Sequence, residues 1–135
     1  VLIAASSPKS LISEAFQSDS LAGVTAAATE YNARPAAEKT SKFVGAIAID
    51  TATGDITVTT AAAASSGLPT DAAGRSVAFR PNVNNVALAA GATGAIDWAC
   101  TSATNTTATA RGLGNRAVVA AATALPAKYA PSECR

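Results

Sequence analysis

The sequence contains no histidine, no methionine and only two cysteines. Without histidine an enzyme lacks its commonest general base, and no serine or cysteine here has a partner that would activate it as a nucleophile. The carboxylates are scattered over segments with loop composition. We therefore expect a protein that is not an enzyme, and the sequence holds no pattern that predicts a cofactor.

A strong charge of either sign is also missing. Ten Lys and Arg stand against nine Asp and Glu, a formal net charge of +1. Such a chain has no basic field to gather nucleic acid or anionic lipid, so no specific nucleic-acid partner is expected. No run approaches the ~20 apolar residues that cross a bilayer. Because the chain begins at Val1 without an initiator Met, we expect an upstream segment to have been removed, which could include a membrane segment.

Large apolar side chains are scarce as well. The hydrophobic fraction is 49%, but 36 of the 135 residues are alanine and only 4% are aromatic. A chain of this length forms one domain with a single core. The composition predicts that this core is thin and that other constraints support it.

The two cysteines, Cys100 and Cys134, are the first candidates for such a constraint. They are too few to form a zinc site of the usual Cys and His ligands in a chain without His, and the CxxC spacing of thiol redox enzymes is absent. The alternatives are a disulfide or two free thiols, and the disulfide is the more economical interpretation. It implies an oxidising compartment and would stabilise the fold by about 4 kcal/mol in the chain-entropy model.

The first sixteen residues carry a helical pattern, with apolar side chains at Leu11, Ile12, Ala15 and Phe16. We predict a helix over residues 1–16. Ser7 and Pro8 are either its N-cap and first-turn proline, or Pro8 lies inside a longer helix and kinks it. Residues 17–41 show no clear period and predict a long loop with at most a short helical turn.

Residues 42–100 have the alternation of a β-meander with four strands. The first two strands form a hairpin through "DTATGD", in which Gly54 can adopt positive φ. The side chains expected on the inward faces are Phe43, Ile47, Ile49, Ile56, Val58, Val77, Phe79, Ile96 and Trp98. Residues 101–133 carry no strong helix or strand signal, so the region 100–134 is predicted to be an irregular loop closed by the cysteines.

Two features resemble chemical sites. Asp50 and Asp55 flank the hairpin turn and could form an ion site or an acid and base pair, but turn chemistry accounts for both carboxylates. The GxG in "RGLGNR" has neither a preceding strand nor a third glycine, which indicates a turn rather than a phosphate-binding loop.

A helix, a long loop, a four-stranded antiparallel meander and a C-terminal loop between two cysteines resemble the head domain of a type IVa pilin. The segments "IDWACTS" and "LPAKYAPSECR" are similar to parts of the major pilins of Pseudomonas and related gammaproteobacteria. The resemblance implies an α+β fold in a single domain, residues 1–135, with the helix packed on the sheet.

The resemblance also implies a function. The chain would be a structural subunit of a type IV pilus, which serves adhesion and twitching motility, and its partners would be other pilin subunits in a helical filament. An apolar half-helix, missing from this sequence, would hold the subunit in the inner membrane before assembly, and the mature N-terminus would be methylated. The filament would lie outside the cell.

In related pilins the disulfide-closed loop is implicated in attachment to host glycolipids and abiotic surfaces, mainly through its backbone. The residues expected to contact a receptor are Lys128, Tyr129, Ala130, Pro131, Ser132 and Glu133. Two alternatives stay open: a minor pilin or pseudopilin of a secretion or DNA-uptake system, and a secreted monomeric binding module.

Overall fold

A computed structural model describes residues 2–40, 44–62, 67, 69–70, 72–83, 86–88, 94, 96–110, 112, 124–130 and 134. Helix α1 spans Leu2–Ala33. Its backbone leaves the helical conformation at Asp19 (φ −143°, ψ 26°) and Ser20 (φ 54°, ψ −145°), so two helical segments meet at a kink. Pro8 lies inside the first segment rather than in its first turn, and the kink is at Asp19 and Ser20 rather than at this proline.

The second helical segment corrects the predicted loop at residues 17–41. Helix α1 continues to Ala33, and a short helix α2 follows at Ala36–Lys39. The apolar face of the second segment consists of Val24, Ala28 and Tyr31, each buried in the core. Their spacing is helical, but the pattern restarts after the kink, and small alanines dilute it. The apolar spacing of the first helical segment therefore does not continue in phase into the second, and the sequence shows no helical period across the kink.

Gly23 allows the two helical segments to approach closely. A Cβ atom at this position would collide with the carbonyl oxygen of Ala15 and would lie 3.0 Å from the Cβ of Asp19. Real Cβ contacts essentially never come closer than that. The kink at Asp19 and Ser20 therefore requires glycine three residues after it.

The predicted four-stranded antiparallel sheet is confirmed. Its main strands are β1 (Val44–Ile49), β2 (Ile56–Thr60), β3 (Ser76–Val83) and β5 (Asp97–Thr101). The two-residue strand β4 (Val86–Ala87) pairs with the end of β3. Since β3 pairs with both β2 and β5, the order of the main strands is β1-β2-β3-β5, with β1 at one edge.

Most of the predicted inward side chains lie in the core between α1 and the sheet. Ile47, Ile49, Ile56, Val58, Val77 and Phe79 are buried there, while Ile96 and Trp98 are partly buried against it. The register between β1 and β2 shifts between Val44 and Ala46, which places the buried Val44 in phase with the core. Phe43 lies outside the described residues.

The hairpin turn between β1 and β2 contacts both the helix and β3. A Cβ atom on Gly54 would lie 3.1 Å from Val24, 3.3 Å from Pro81 and 3.5 Å from Ile12. Gly54 also has a φ of 77°, which disfavours any other residue. Glycine is thus required here for conformation and for space.

The region after β5 is more regular than predicted. Helix α3 spans Thr106–Ala110, and a 3₁₀ helix spans Ala127–Tyr129. Ala108 of α3 and Ala99 of β5 form a small cluster in which both are fully buried. This contact between two methyl groups is too small to produce a periodic sequence signal, so the sequence predicted only loop.

Candidate functional site: the C-terminal disulfide loop

The cysteines form a disulfide between Cys100 and Cys134. Cys100 lies on β5 opposite Phe79 of β3, and both cysteines are buried. The fully buried hydroxyl of Ser102 donates a hydrogen bond to the carbonyl oxygen of Cys134 at 2.6 Å. A covalent bond and a buried hydrogen bond therefore tie the C-terminal end to the core.

A second anchor lies earlier in the loop. The backbone N–H of Leu125 donates to the carbonyl oxygen of Ser76 at 2.9 Å, and Ala103 donates to Leu125 at 3.2 Å. Ala124 pairs with Ser76 as an isolated parallel bridge. Because the Leu125 side chain is buried, this part of the loop is fixed against the start of β3.

Between these anchors the 3₁₀ helix presents two side chains to solvent. Lys128 is exposed, and Tyr129 is 40% exposed. The Lys128 Nζ lies 5.0 Å from the centroid of the Tyr129 ring. The N–H of Tyr129 donates to the carbonyl oxygen of Pro126 at 3.0 Å, which holds the turn. The loop thus displays an amine and an aromatic ring side by side on a fixed backbone.

The structure divides the residues expected to contact a receptor. Lys128 and Tyr129 lie together at the surface, whereas the side chain of Ala130 is buried and acts as an anchor. Pro131, Ser132 and Glu133 lie outside the described residues. The exposed part of the candidate site is therefore Lys128, Tyr129 and the nearby backbone.

The two carboxylates of the hairpin turn do not work as a pair. Asp50 Oδ1 accepts hydrogen bonds from the N–H groups of Ala52 at 2.8 Å and Thr53 at 3.1 Å, as turn chemistry predicts. The Asp55 carboxylate instead binds Arg80, so the turn interpretation is wrong for it. Within the described ranges, no three His, Cys, Asp or Glu residues are grouped to hold a metal ion.

The Arg80 and Asp55 ion pair is bidentate and largely shielded from solvent. Nε and Nη2 of Arg80 donate to Asp55 at 3.0 and 2.9 Å, and the side chains are only 18% and 8% exposed. The hydrogen bond to Asp55 raises the pKa of Arg80 although burial lowers it, so the guanidinium stays charged. The register of β2 and β3 pairs Ile56 with Phe79 and so brings the adjacent Asp55 and Arg80 together, a relationship that the sequence alone does not reveal.

Comparison with known proteins identifies the class. A family model for pilins, the subunits of bacterial filaments, matches residues 1–135. A crystal structure of a type IV pilin from Pseudomonas aeruginosa strain Pa110594 is 37% identical, with a TM-score of 0.80. The match covers 99% of this chain and 92% of that one. No curated protein sequence matches the chain significantly.

This chain belongs to the pilin family. It has the type IV pilin fold and is a structural subunit of a pilus, which assembles with other pilin subunits into a filament outside the cell. In the described part of the chain, no helix is both long and apolar enough to span a membrane.

Proposed function

We propose that residues 1–135 form a single head domain of the major subunit of a type IV pilus, and that the C-terminal disulfide loop is its adhesive surface. The role is structural rather than catalytic. Lys128 and Tyr129, with the backbone around them, contact a host glycolipid or an abiotic surface. The same filament serves twitching motility.

One observation carries the adhesion proposal: Tyr129 is exposed although the chain is anchored at Leu125 before it and at Ala130 after it. Leu125 and Ala130 are buried, and the disulfide fixes the chain further on. A tyrosine ring offers an apolar face and a polar hydroxyl, a combination suited to partly wet interfaces. Because the loop is held in place before contact, binding orders few additional groups.

The test compares purified pili carrying Lys128→Ala and Tyr129→Ala with wild-type pili on glycolipid-coated plates and on bare polystyrene. We expect at least a fivefold loss of binding for the double variant. Thr109→Ala is the matched control, since Thr109 is exposed on α3 within the same disulfide loop. Equal binding by the double variant and the wild type would contradict the role of these side chains.

We propose further that, before assembly, an apolar helix upstream of Val1 holds the subunit in the inner membrane, as the resemblance to type IVa pilins implies. The gene should therefore encode a short basic leader, then Phe and ~20 apolar residues with a Glu near their start, enough to span a bilayer. A conventional cleaved signal peptide ending near Val1 would overturn this proposal.

Abundance distinguishes a major subunit from a minor one. A major subunit dominates the protein sheared from the cell surface, whereas a minor pilin or pseudopilin is a trace component there. We expect this chain to be the main band of the sheared fraction, identified by mass spectrometry. A trace amount beside another dominant pilin would favour the minor role.

A further inference from the structure

We infer that the edge of strand β1 is a latent pairing surface for β1 of a second copy of this chain, and that Asn32 and helix α2 keep it closed in the folded domain. This edge lies across the sheet from β5, which carries the disulfide loop, so the surface is separate from the proposed adhesive site. Opening it should convert a monomeric domain into a dimer that pairs strand to strand.

Alternate residues of β1 direct their backbone groups away from β2. In an antiparallel pair, a residue either bonds its partner through both its N–H and its C=O or turns both away, and the two states alternate along the strand. Both groups of Ile49 bond the side chain of Asn32, so Ile49 faces the edge. The register is regular over residues 46–49. Ile47, which lies opposite Val58 of β2, therefore also faces the edge.

The strand lacks most of the features that prevent pairing at an exposed edge. Natural edge strands carry charges or proline, contain a bulge, or are covered by another element. The sequence of β1, VGAIAI, has no charged residue and no proline, and its register shift is confined to its start. Ala46 and Ala48 are exposed and present only methyl groups. The side chains of β1 therefore do not prevent another strand from approaching.

Asn32 and α2 close this edge instead. The Asn32 amide satisfies both edge groups of Ile49, at 2.7 and 2.9 Å. The Lys39 Nζ of α2 donates to the carbonyl oxygen of Asn32 at 3.1 Å, and α2 lies beside β1. Within the described part of the chain, α2 makes no backbone hydrogen bond to β1, and none reaches the edge groups of Ile47. Closure therefore depends on the edge clamp, the name used here for Asn32 and Lys39.

A second copy of β1 is the partner that fits this edge. Two such edges can meet antiparallel around a two-fold axis at Ile47, so that each Ile47 N–H donates to the carbonyl oxygen of the other. Ala46 of one copy then lies opposite Ala48 of the other, which brings no like charges together. Because the chain assembles with other pilin subunits, its copies are held at high local concentration, where an open edge would pair.

The test compares the isolated domain, residues 1–135, with a variant that lacks the edge clamp, Asn32→Ala with Lys39→Ala. By light scattering we expect the wild type to stay monomeric and the clamp variant to reach twice the monomer mass at ~1 mM or below. Hydrogen exchange locates the contact. The Ile47 amide should exchange at least tenfold more slowly in the variant dimer than in the wild type.

Two controls separate edge pairing from a general loss of stability. Ala48→Lys, added to the clamp variant at an exposed position, places like charges on the same face of the paired strands and should restore the monomer. Ser102→Ala removes a buried hydrogen bond in the C-terminal region rather than at β1. This variant should lose stability and remain a monomer.

Three results would overturn the inference: a clamp variant that stays monomeric up to ~1 mM, a dimer that survives Ala48→Lys, or equal dimerisation of Ser102→Ala. A wild-type domain that already pairs through β1 would contradict it as well, because the edge would not be closed. If the clamp variant does not fold, Asn32→Ala alone takes its place, and the same dimer is expected.

Discussion

The side-chain amide of Asn32 exchanges two hydrogen bonds with the backbone of Ile49. Asn32 Nδ2 donates to the carbonyl oxygen of Ile49 at 2.7 Å, and the N–H of Ile49 donates to Asn32 Oδ1 at 2.9 Å. Ile49 ends β1, which lies at the edge of the sheet. The amide thus occupies the place of a neighbouring strand and joins the end of α1 to the sheet edge.

Replacing Asn32 with Asp tests this contact without changing the shape of the side chain. At neutral pH a carboxylate cannot donate to the Ile49 carbonyl, so we expect a loss of about 1–3 kcal/mol in the free energy of unfolding. Urea denaturation at pH 7 measures it. Protonation restores a donor, so the difference from wild type should narrow near pH 3. A constant difference at both pH values would contradict the two-bond geometry.

Gly23 gives a prediction whose sign opposes helix propensity. In an ordinary helix interior, Gly→Ala stabilises by about 1 kcal/mol. At Gly23 the new methyl group would collide with the carbonyl oxygen of Ala15, so we expect Gly23→Ala to destabilise by at least ~1 kcal/mol. Ala22→Gly, at the exposed neighbouring position, is the control and should cost about 1 kcal/mol from propensity alone. A more stable Gly23→Ala protein would show that the helical segments are not closely packed.

Thr101 carries a buried hydroxyl that costs stability. Thr101 is fully buried, and its Oγ1 is the one buried side-chain polar atom without a hydrogen-bond partner among the described residues. Thr101→Val replaces the hydroxyl with a methyl group of similar size, and we expect a gain of about 1 kcal/mol in chemical denaturation. Thr101→Ser keeps the hydroxyl and loses the methyl group, so it should destabilise. Two variants of equal stability would contradict this account.

The strands could be predicted from the sequence because large apolar residues alternate with small or polar ones within the main strands. In β2, for example, the buried Ile56 and Val58 alternate with threonines. The second helical segment could not be predicted, because the helical spacing of apolar residues starts afresh after the kink at Ser20. The contact of Asn32 with Ile49 depends on which distant residue the fold brings to it, and no local pattern encodes that partner. In the C-terminal loop, likewise, the sequence indicates a disulfide through Cys134 but not the hydrogen bond that the Cys134 carbonyl accepts from Ser102.

Tyr31 predicts the behaviour of the domain at high pH. Burial raises the pKa of Tyr31 above its ordinary value of 10, partly offset by the positive charge of Arg34. Folding therefore favours the neutral phenol, and this stabilisation is present below pH 10 and is lost as pH rises through the higher folded pKa. We expect the unfolding free energy to fall less between pH 9 and pH 11 in Tyr31→Phe than in wild type. Equal slopes in urea denaturation would contradict this prediction.

The disulfide gives the largest expected effect on stability. Cys100 and Cys134 close a loop with a sequence separation of 34, and in the chain-entropy model this stabilises by about 4 kcal/mol. Replacing both cysteines with alanine should lower the unfolding free energy by about that amount and also leave a small cavity where the buried sulfurs lay. Ser102→Ala isolates the other restraint, the hydrogen bond to the Cys134 carbonyl, and should cost about 1 kcal/mol. If the double alanine variant lost less than the Ser102 variant, the anchors at Leu125 and Ser102 rather than the covalent bond would hold the loop.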